Sequence, residues 1–595
     1  MSPFAEAIVA TADIGGSQPS APADTWRRRA SSVGFVGVLA VLLAAPFETT
    51  TPWLRVPGQS ISSLEIVVLL VCAGWVATVV RSGALPPIRT PLTTPGLLLL
   101  GSLTMASAVA PTDRANALHM VGRLACAAVL CAATVHSVTT ASRAKRLLWI
   151  ACASGTLAAV LVALDYSRVE VGQQLLSAFR TQTTSVGIAV RASGSFQYPT
   201  IASMFLELTF ACAVGLLPVV WEARSGLARI GLLVSLLTMA AGVTLTYTRA
   251  GFICMATTLA IVGAQRIRVA GVDRVVVVLA GVAAVVAAMV PLSRPVEQMR
   301  LRFTSEGQEA WYRAEIQAPS RVELTTGGRL IVPVTVRNTG RVTWDSAARS
   351  PFRFSYHWLL SDSDRVVSWE GLRTSFPAPV APGACVRLDV PLEAPRRPGT
   401  YRVVWDLEQE RHLWFSTEPD AQLAISHATV RGLALSGAPP EGSYTDMPLP
   451  ATRPGRPVLW AAALRMFAER PWLGVGPDNF RLRYGPYAGL ARADPRVHTN
   501  NMYLELLVGG GVLCGLALTW FLWRSGRTIA LALGVEGDRQ GTALRAAAAA
   551  PVCAVAVHGL VDSFLGFTPT YVAIGISVGL LLACTSHQDS HAHRV

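Results

Sequence analysis

Long apolar runs alternate with short basic turns over the first half of the chain, and the pattern returns near its end. Spans at about 32–47, 62–80, 96–110, 116–138, 147–164, 200–221, 227–247, 250–265, 275–293, 502–523, 544–562 and 567–585 read as membrane helices. The third and eighth are short, near the lower limit of about 17 residues for a crossing. Lipid supplies no partners for free backbone groups, so an open chain crosses it as helices.

A period of two replaces this pattern between the ninth and tenth spans. Alternation runs through Arg329-Leu-Ile-Val-Pro-Val-Thr-Val-Arg337, Phe352-Arg-Phe-Ser-Tyr-His-Trp-Leu359, Cys385-Val-Arg-Leu-Asp-Val-Pro-Leu392 and Tyr401-Arg-Val-Val-Trp-Asp-Leu407. Turn signals at Asn338-Thr-Gly340, Pro382-Gly383 and Pro398-Gly399 separate the runs. Short strands at this spacing predict an antiparallel β-sandwich of immunoglobulin-like type over 314–432. Its tryptophans, Trp344, Trp358, Trp405 and Trp414, fit a core better than a sugar-stacking platform. The sandwich reads as an accessory module for binding acceptor glycan or shielding a site. The fold class is therefore a polytopic α-helical membrane protein of about twelve transmembrane helices with an inserted extracytoplasmic β-sandwich.

Composition supports this class. Of 595 residues, 51% are hydrophobic and 15% charged, and the mean hydropathy is +0.42. Soluble domains carry about 25% charged residues. With the N-terminus inside, the cytoplasmic face collects Arg27, Arg28, Arg29, Arg81, Arg89, Arg143, Lys145, Arg146, Arg224, Arg229, Arg266, Arg268, Arg274, Arg524, Arg527, Arg539, Arg545 and Arg594. The short outer loops hold Arg55, Arg114 and Arg249. Positive charge marks the cytoplasmic side, so 165–199 and 294–501 face outward. The net charge of +14 follows largely from this bias, and no nucleic acid is needed to explain it.

The predicted plan is a disordered cytoplasmic tail (1–31), nine spans with an outer loop at 165–199 (32–294), the sandwich (314–432), a segment with linker, amphipathic helix and catalytic loop (433–501), three further spans (502–586) and a cytoplasmic tail (587–595). Residues 1–26 are polar and carry no basic region followed by a cleavable apolar core, so the first span reads as an uncleaved anchor. Apart from Cys385 in the sandwich, the cysteines lie in apolar spans, and no Cys-x-x-Cys pair occurs. A disulfide framework and a zinc site are not expected.

Three polar segments converge on the outer face by topology. They are Arg191-Ala-Ser-Gly-Ser-Phe-Gln-Tyr198, Thr246-Tyr-Thr-Arg-Ala-Gly251 and His498-Thr-Asn-Asn-Met-Tyr-Leu-Glu505. The third follows Arg470-Pro-Trp-Leu-Gly-Val-Gly-Pro-Asp-Asn-Phe480. Arginine holds phosphate oxygens in a bidentate fork, and histidine titrates near neutrality, so Arg191 and Arg249 are candidate anion binders and His498 a candidate base. Snorkelling is the bland reading for Arg249, and a solvated loop is the bland reading for Arg191 and His498.

In their order, these motifs resemble the O-antigen ligase and polymerase family of bacterial membrane glycosyltransferases. The likeness spans the fifth to twelfth helices and omits the sandwich. It implies a glycan donor on a polyprenyl diphosphate, an acceptor hydroxyl on a lipid, growing glycan or protein, inversion at the anomeric carbon, and no metal or other cofactor. The arginines would then stabilise the diphosphate leaving group and His498 would deprotonate the acceptor. Here His498 stands two residues before the position at which the family often places its histidine, which is Asn500 in this chain. Asn500, Asn501 and Glu505 are candidate acceptor contacts. Tyr198, Asp562 and Arg180 complete the candidate binding set, Asp562 against a helix-end role and Arg180 against a solvated-charge reading. Glu65, Arg123 and Glu207 should face the bundle interior, since charge in lipid is costly. A polysaccharide exporter would spread polar residues along a path through the membrane, and a receptor would leave the Arg and His loops unexplained.

Orientation is open to direct measurement. Single cysteines at Glu170→Cys, Thr400→Cys and Leu490→Cys should react with an impermeant reagent from outside the cytoplasm, whereas Arg143→Cys and Val535→Cys should not. Labelling of position 400 from the cytoplasmic side alone would invert the topology.

Overall fold

The computed structural model describes residues 22–56, 59–83, 89–180, 184–186, 189–223, 225–292, 311–348, 350–363, 365–410, 413–418, 421–422, 424–437, 445–446, 454–490, 493–534 and 538–586. Every predicted span falls on a helix. These are α1 (Pro22–Ala44), α2 (Ser63–Arg81), α3 (Thr93–Ala108), α4 (Arg114–Ser137), α5 (Ala141–Ser167), α7 (Pro199–Glu222), α8 (Gly226–Leu245), α9 (Arg249–Ala270), α10 (Arg274–Leu292), α13 (Met502–Gly534), α14 (Arg539–His558) and α15 (Thr568–Ser586). Among the described residues, nine helices are long and apolar enough to cross a membrane, while α1 and α3 fall outside that set and α10 is a shorter apolar helix. Helix α1 begins at Pro22, ahead of the predicted end of the tail at residue 31, and Arg29 lies over the Trp26 ring. Residues 1–21, the terminal 587–595 and most of the Pro/Gly-rich linker lie outside the described residues.

Helix α7 is the axis of the bundle. Nearly all of it is buried, and it packs on α5, α8, α9 and α14. The run Ala546–Ala550 on α14 makes close approach possible: a Cβ at Gly215 would lie 2.3 Å from Ala547 Cα. Small residues let helices gain van der Waals contact where lipid removes the hydrophobic drive between them. The price of charge in the bundle is met by pairing. Ser62 and Glu65 form a capping box at the start of α2. Glu65 Oε1 also accepts from Arg123 Nε at 2.6 Å and lies 3.1 Å from His119 Nε2.

The first of the two long loops, between α5 and α7, carries α6 (Glu170–Leu176) and a hairpin of β3 (Thr184–Val186) and β4 (Ala189–Arg191). The second carries two sheets around one core. The smaller sheet orders β11 (Cys385–Glu393), β7 (Arg329–Asn338) and β5 (Ala314–Gln317). The larger contains β9 (Arg365–Ser368), β8 (Phe352–Leu360), β12 (Gly399–Gln409), β14 (Ala424–Arg431) and β6 (Arg321–Thr325), in that order. The fully antiparallel expectation needs one correction, because β14 and β6 pair in parallel. These two strands lie about a hundred residues apart in the chain, and no hairpin joins them. Trp344, Trp358 and Trp405 are buried in the shared core, and Trp414 is half-buried against His357.

Helix α13 is broken. Gly511 has φ +68° and ψ −164°, which interrupts the helical ladder. The freed groups pair with the Gly474 motif: Val475 N donates to Val508 O at 3.0 Å, Gly476 N to Gly509 O at 2.9 Å, and Val512 N to Pro471 O at 2.7 Å. The glycines permit this approach. Gly474 has φ +65°, and a Cβ there would lie 2.3 Å from Val508 O. The amphipathic helix α11 (Arg456–Glu469) buries Leu459, Ala462, Ala463 and Met466 against Val475, Phe480, Tyr484 and Val508, so it backs the same motif. Gly474→Ala should destabilise the protein by about 1–3 kcal/mol from backbone strain alone, before the clash is counted. A melting temperature equal to that of the unaltered protein would show that the loop does not dock in this way.

Candidate functional site

The chain leaves the docked motif into α12 (Phe480–Tyr487) and returns through Asp494–His498 to the head of α13. Asn500 takes a left-handed backbone with φ +52°. Asn501 Oδ1 accepts from Tyr503 N and Leu504 N, capping α13, and its Nδ2 donates to Leu560 O at 3.1 Å. Glu505 Oε2 accepts from Thr499 N and lies 2.8 Å from Thr499 Oγ1. This turn aims His498 back at Glu505 and the motif. His498 Nδ1 lies 3.5 Å from Glu505 Oε1 and 3.8 Å from Asp478 Oδ1. These are ion-pair separations, and Nδ1 and Glu505 Oε1 have no hydrogen-bond partner.

Asp478 is held from its other side. Its Oδ2 accepts from Asn116 Nδ2 at 3.1 Å and Arg481 Nε at 2.9 Å, and Arg481 also donates to Asn116 Oδ1. Burial alone would raise the Asp478 pKa, but the charges of Arg481 and His498 outweigh it and hold the carboxyl below its usual range. Burial pushes the His498 pKa down, while Glu505, by proximity and charge, and the Asp478 charge overcome this and leave it above the ordinary histidine value.

The Arg191 segment reaches the same region through aromatic contacts. The Phe567 ring lies 6.1 Å from the His498 ring and 5.9 Å from the Tyr198 ring, and Tyr198 also interacts with Arg496. Arg191 is buried and bonded inward: Nε donates to Thr246 O at 2.9 Å and a terminal nitrogen to Thr248 Oγ1 at 3.2 Å. It thereby braces the Thr246–Arg249 turn. Arg249 opens α9 and is half-buried. Gly251 lets that helix seat, since a Cβ there would lie 2.6 Å from Ser203 Oγ.

Arg180 sits in a separate enclosed cluster. It pairs with Asp165 Oδ2 at 2.5 Å and Gln173 Oε1 at 2.7 Å, and the same Asp165 oxygen accepts from Ser193 N and Gly194 N. Its place is behind the Arg191 segment, and its side chain is buried where a solvated loop was one reading. Asp562 Oδ1 accepts from Ser563 N, and Oδ2 lies 3.9 Å from His558 Nε2. His558 Nδ1 is 2.8 Å from Glu207 Oε2, whose other oxygen accepts from Ser203, so Glu207 does face the interior.

Sequence reading assigned no role to Asn116, Asp478 or Arg481. The signal for α4 was a polar stripe in an apolar span, since Asn116, His119 and Arg123 share one helix face at spacings of three and four. Arg123 also donates to Gly566 O at 2.7 Å, beside Phe567. Among the described residues, two trios have donor atoms near enough to hold a cation, Glu207 with Cys254 and His558, and Asp478 with His498 and Glu505.

Residues 447–519 match the family model described as O-antigen ligase. The match covers 73 of the 595 residues. It holds the docked motif, Asp478, His498, Glu505 and the break in α13, and it leaves Arg191 and Arg249 outside. No curated protein matches the chain. The apolar helices are those of a multi-pass membrane protein, and the part of it that resembles the O-antigen ligase family is the segment around His498.

The bracing role of Arg191 has a measurable consequence. Arg191→Ala strands buried acceptors on Thr246 and Thr248, at a cost of about 1–3 kcal/mol. We expect a lowered melting temperature together with lost transfer. Unaltered stability would mean that Arg191 serves substrate alone.

Proposed function

We propose that the protein transfers a glycan from a polyprenyl-diphosphate donor to an acceptor hydroxyl at the outer face of the cytoplasmic membrane. In this reading all twelve long helices cross the bilayer and the β unit is extracytoplasmic. The observation that carries the proposal is the His498 geometry within the O-antigen ligase segment. Nδ1 faces two carboxylates, while Nε2 has no hydrogen-bond partner among the described residues and is not fully buried. Histidine held in this way presents one basic nitrogen to a hydroxyl.

The acceptor oxygen gives its proton to His498 Nε2 and attacks the anomeric carbon. The C–O bond to the diphosphate breaks, and inversion follows from attack opposite the leaving group. Arg249 takes the developing charge on the diphosphate, and Arg191 holds the Arg249 turn in place. The charge is met by arginine without a metal. Ligation to a lipid or protein and polymerisation of a growing glycan share this chemistry and differ in the acceptor.

Transfer should be assayed with purified full-length protein and a lipid-linked donor. Arg249→Lys keeps charge but loses the fork, and should lose most activity with unaltered stability. His498→Ala should lose about 10²–10⁴-fold. Because the base must be neutral, the rate should fall as pH drops through a value above the ordinary histidine pKa. Chelator should leave the rate unchanged. Near-normal turnover by His498→Ala would remove the base.

A further inference from the structure

A histidine base needs one nitrogen fixed if the other is to meet its substrate in a single protonation state. Glu505 is the nearer carboxylate, but it is shared, because its second oxygen is committed to Thr499. Asp478 supplies the other charge from a different part of the chain. Its backbone is left-handed, with φ +63°, a conformation that aspartate and asparagine tolerate better than most side chains. Behind it, Arg481 and Asn116 take Oδ2 and leave Oδ1 directed at His498.

We propose that Asp478 is a positioning residue for His498. With Glu505 it keeps the proton on Nδ1, leaves Nε2 as the basic atom, and stabilises the imidazolium formed when the acceptor hydroxyl gives up its proton. The proton passes from hydroxyl oxygen to Nε2, and the carboxylates stay ionised throughout. This deepens the glycan-transfer reading and rests on it. The charged groups facing His498 are Glu505 from α13 and Asp478 and Arg481 from the motif and α12; Arg123 of α4 acts on Asp478 from behind. Arg481 is the main counterweight to the Asp478 charge, which it meets at 2.8–2.9 Å.

Asp478→Asn tests the charge at nearly constant shape and backbone preference. Single-turnover transfer by full-length protein would be followed across pH, with melting temperature measured alongside. The variant should lose about tenfold to a hundredfold in kcat, less than loss of the base itself, with KM little changed. Its acid limb should move to lower pH, because one of the charges that favour the imidazolium is gone. Glu505→Gln should move the limb in the same direction. A limb that stays in place in a folded Asp478→Asn protein would overturn the proposal, as would a loss confined to KM. Activity lost on chelation and restored by a divalent cation would also overturn it, since the carboxylates would then serve a metal. His498→Ala separates the two levels. If it retains turnover and the same acid limb, the base reading itself fails; if it is inactive while Asp478→Asn keeps the wild-type limb, only the role of Asp478 fails.

Discussion

Backbone groups freed inside a membrane protein must find partners, and that demand shapes the end of the bundle that carries the candidate site. The ladder of α13 is interrupted at Gly511, and its orphaned carbonyls at Val508 and Gly509 are met by N–H groups of the Gly474 motif. The chemistry hangs from that pairing. Asp478 follows the docked residues at once, and Glu505 lies less than two turns above the break. A motif and a helix distant in sequence are thus registered by backbone bonds, which constrain position far more tightly than side-chain packing would. The glycines at 474 and 511 are what make the close approach possible.

The buried charges divide into those that hold the frame and those that face the site. Asp165 and Arg180 tie down the turn at Ser193–Gly194, and Arg191 in turn ties down Thr246–Arg249. Each step passes order one segment nearer to Arg249. Glu65 and Arg123 do the same on the far side, where Arg123 fixes the carbonyl of Gly566 beside Phe567. Charge burial is costly in such a bundle, and here each group described has its counterpart within bonding distance or close to it.

Hydropathy made the helices legible because the bilayer imposes one length and one solvent on each of them. The β unit was legible through its period of two, and its parallel β14–β6 pair was not, since pairing between distant strands leaves no local mark. The motifs at Arg191, Arg249 and His498 stood out as polar islands beside apolar runs. Their division of labour did not. Whether an arginine bonds a backbone turn or opens to solvent depends on what folds against it, as Arg180 and Arg191 illustrate. Asp478 lay in plain view inside a motif, yet its relation to His498 arises only when the loop docks on the break in α13.

That docked loop grips α13 on both sides of its discontinuity. Pro471 O holds Val512 below it, while Val475 and Gly476 hold Val508 and Gly509 above. Glycine-rich interruptions in membrane helices often invite thought of a hinge, but a joint splinted across both limbs cannot flex without shedding several bonds together. The elbow is rigid. In the proposed transfer the glycan would meet a fixed surface at this elbow, and the mobility of the cycle would reside in segments beyond the splint.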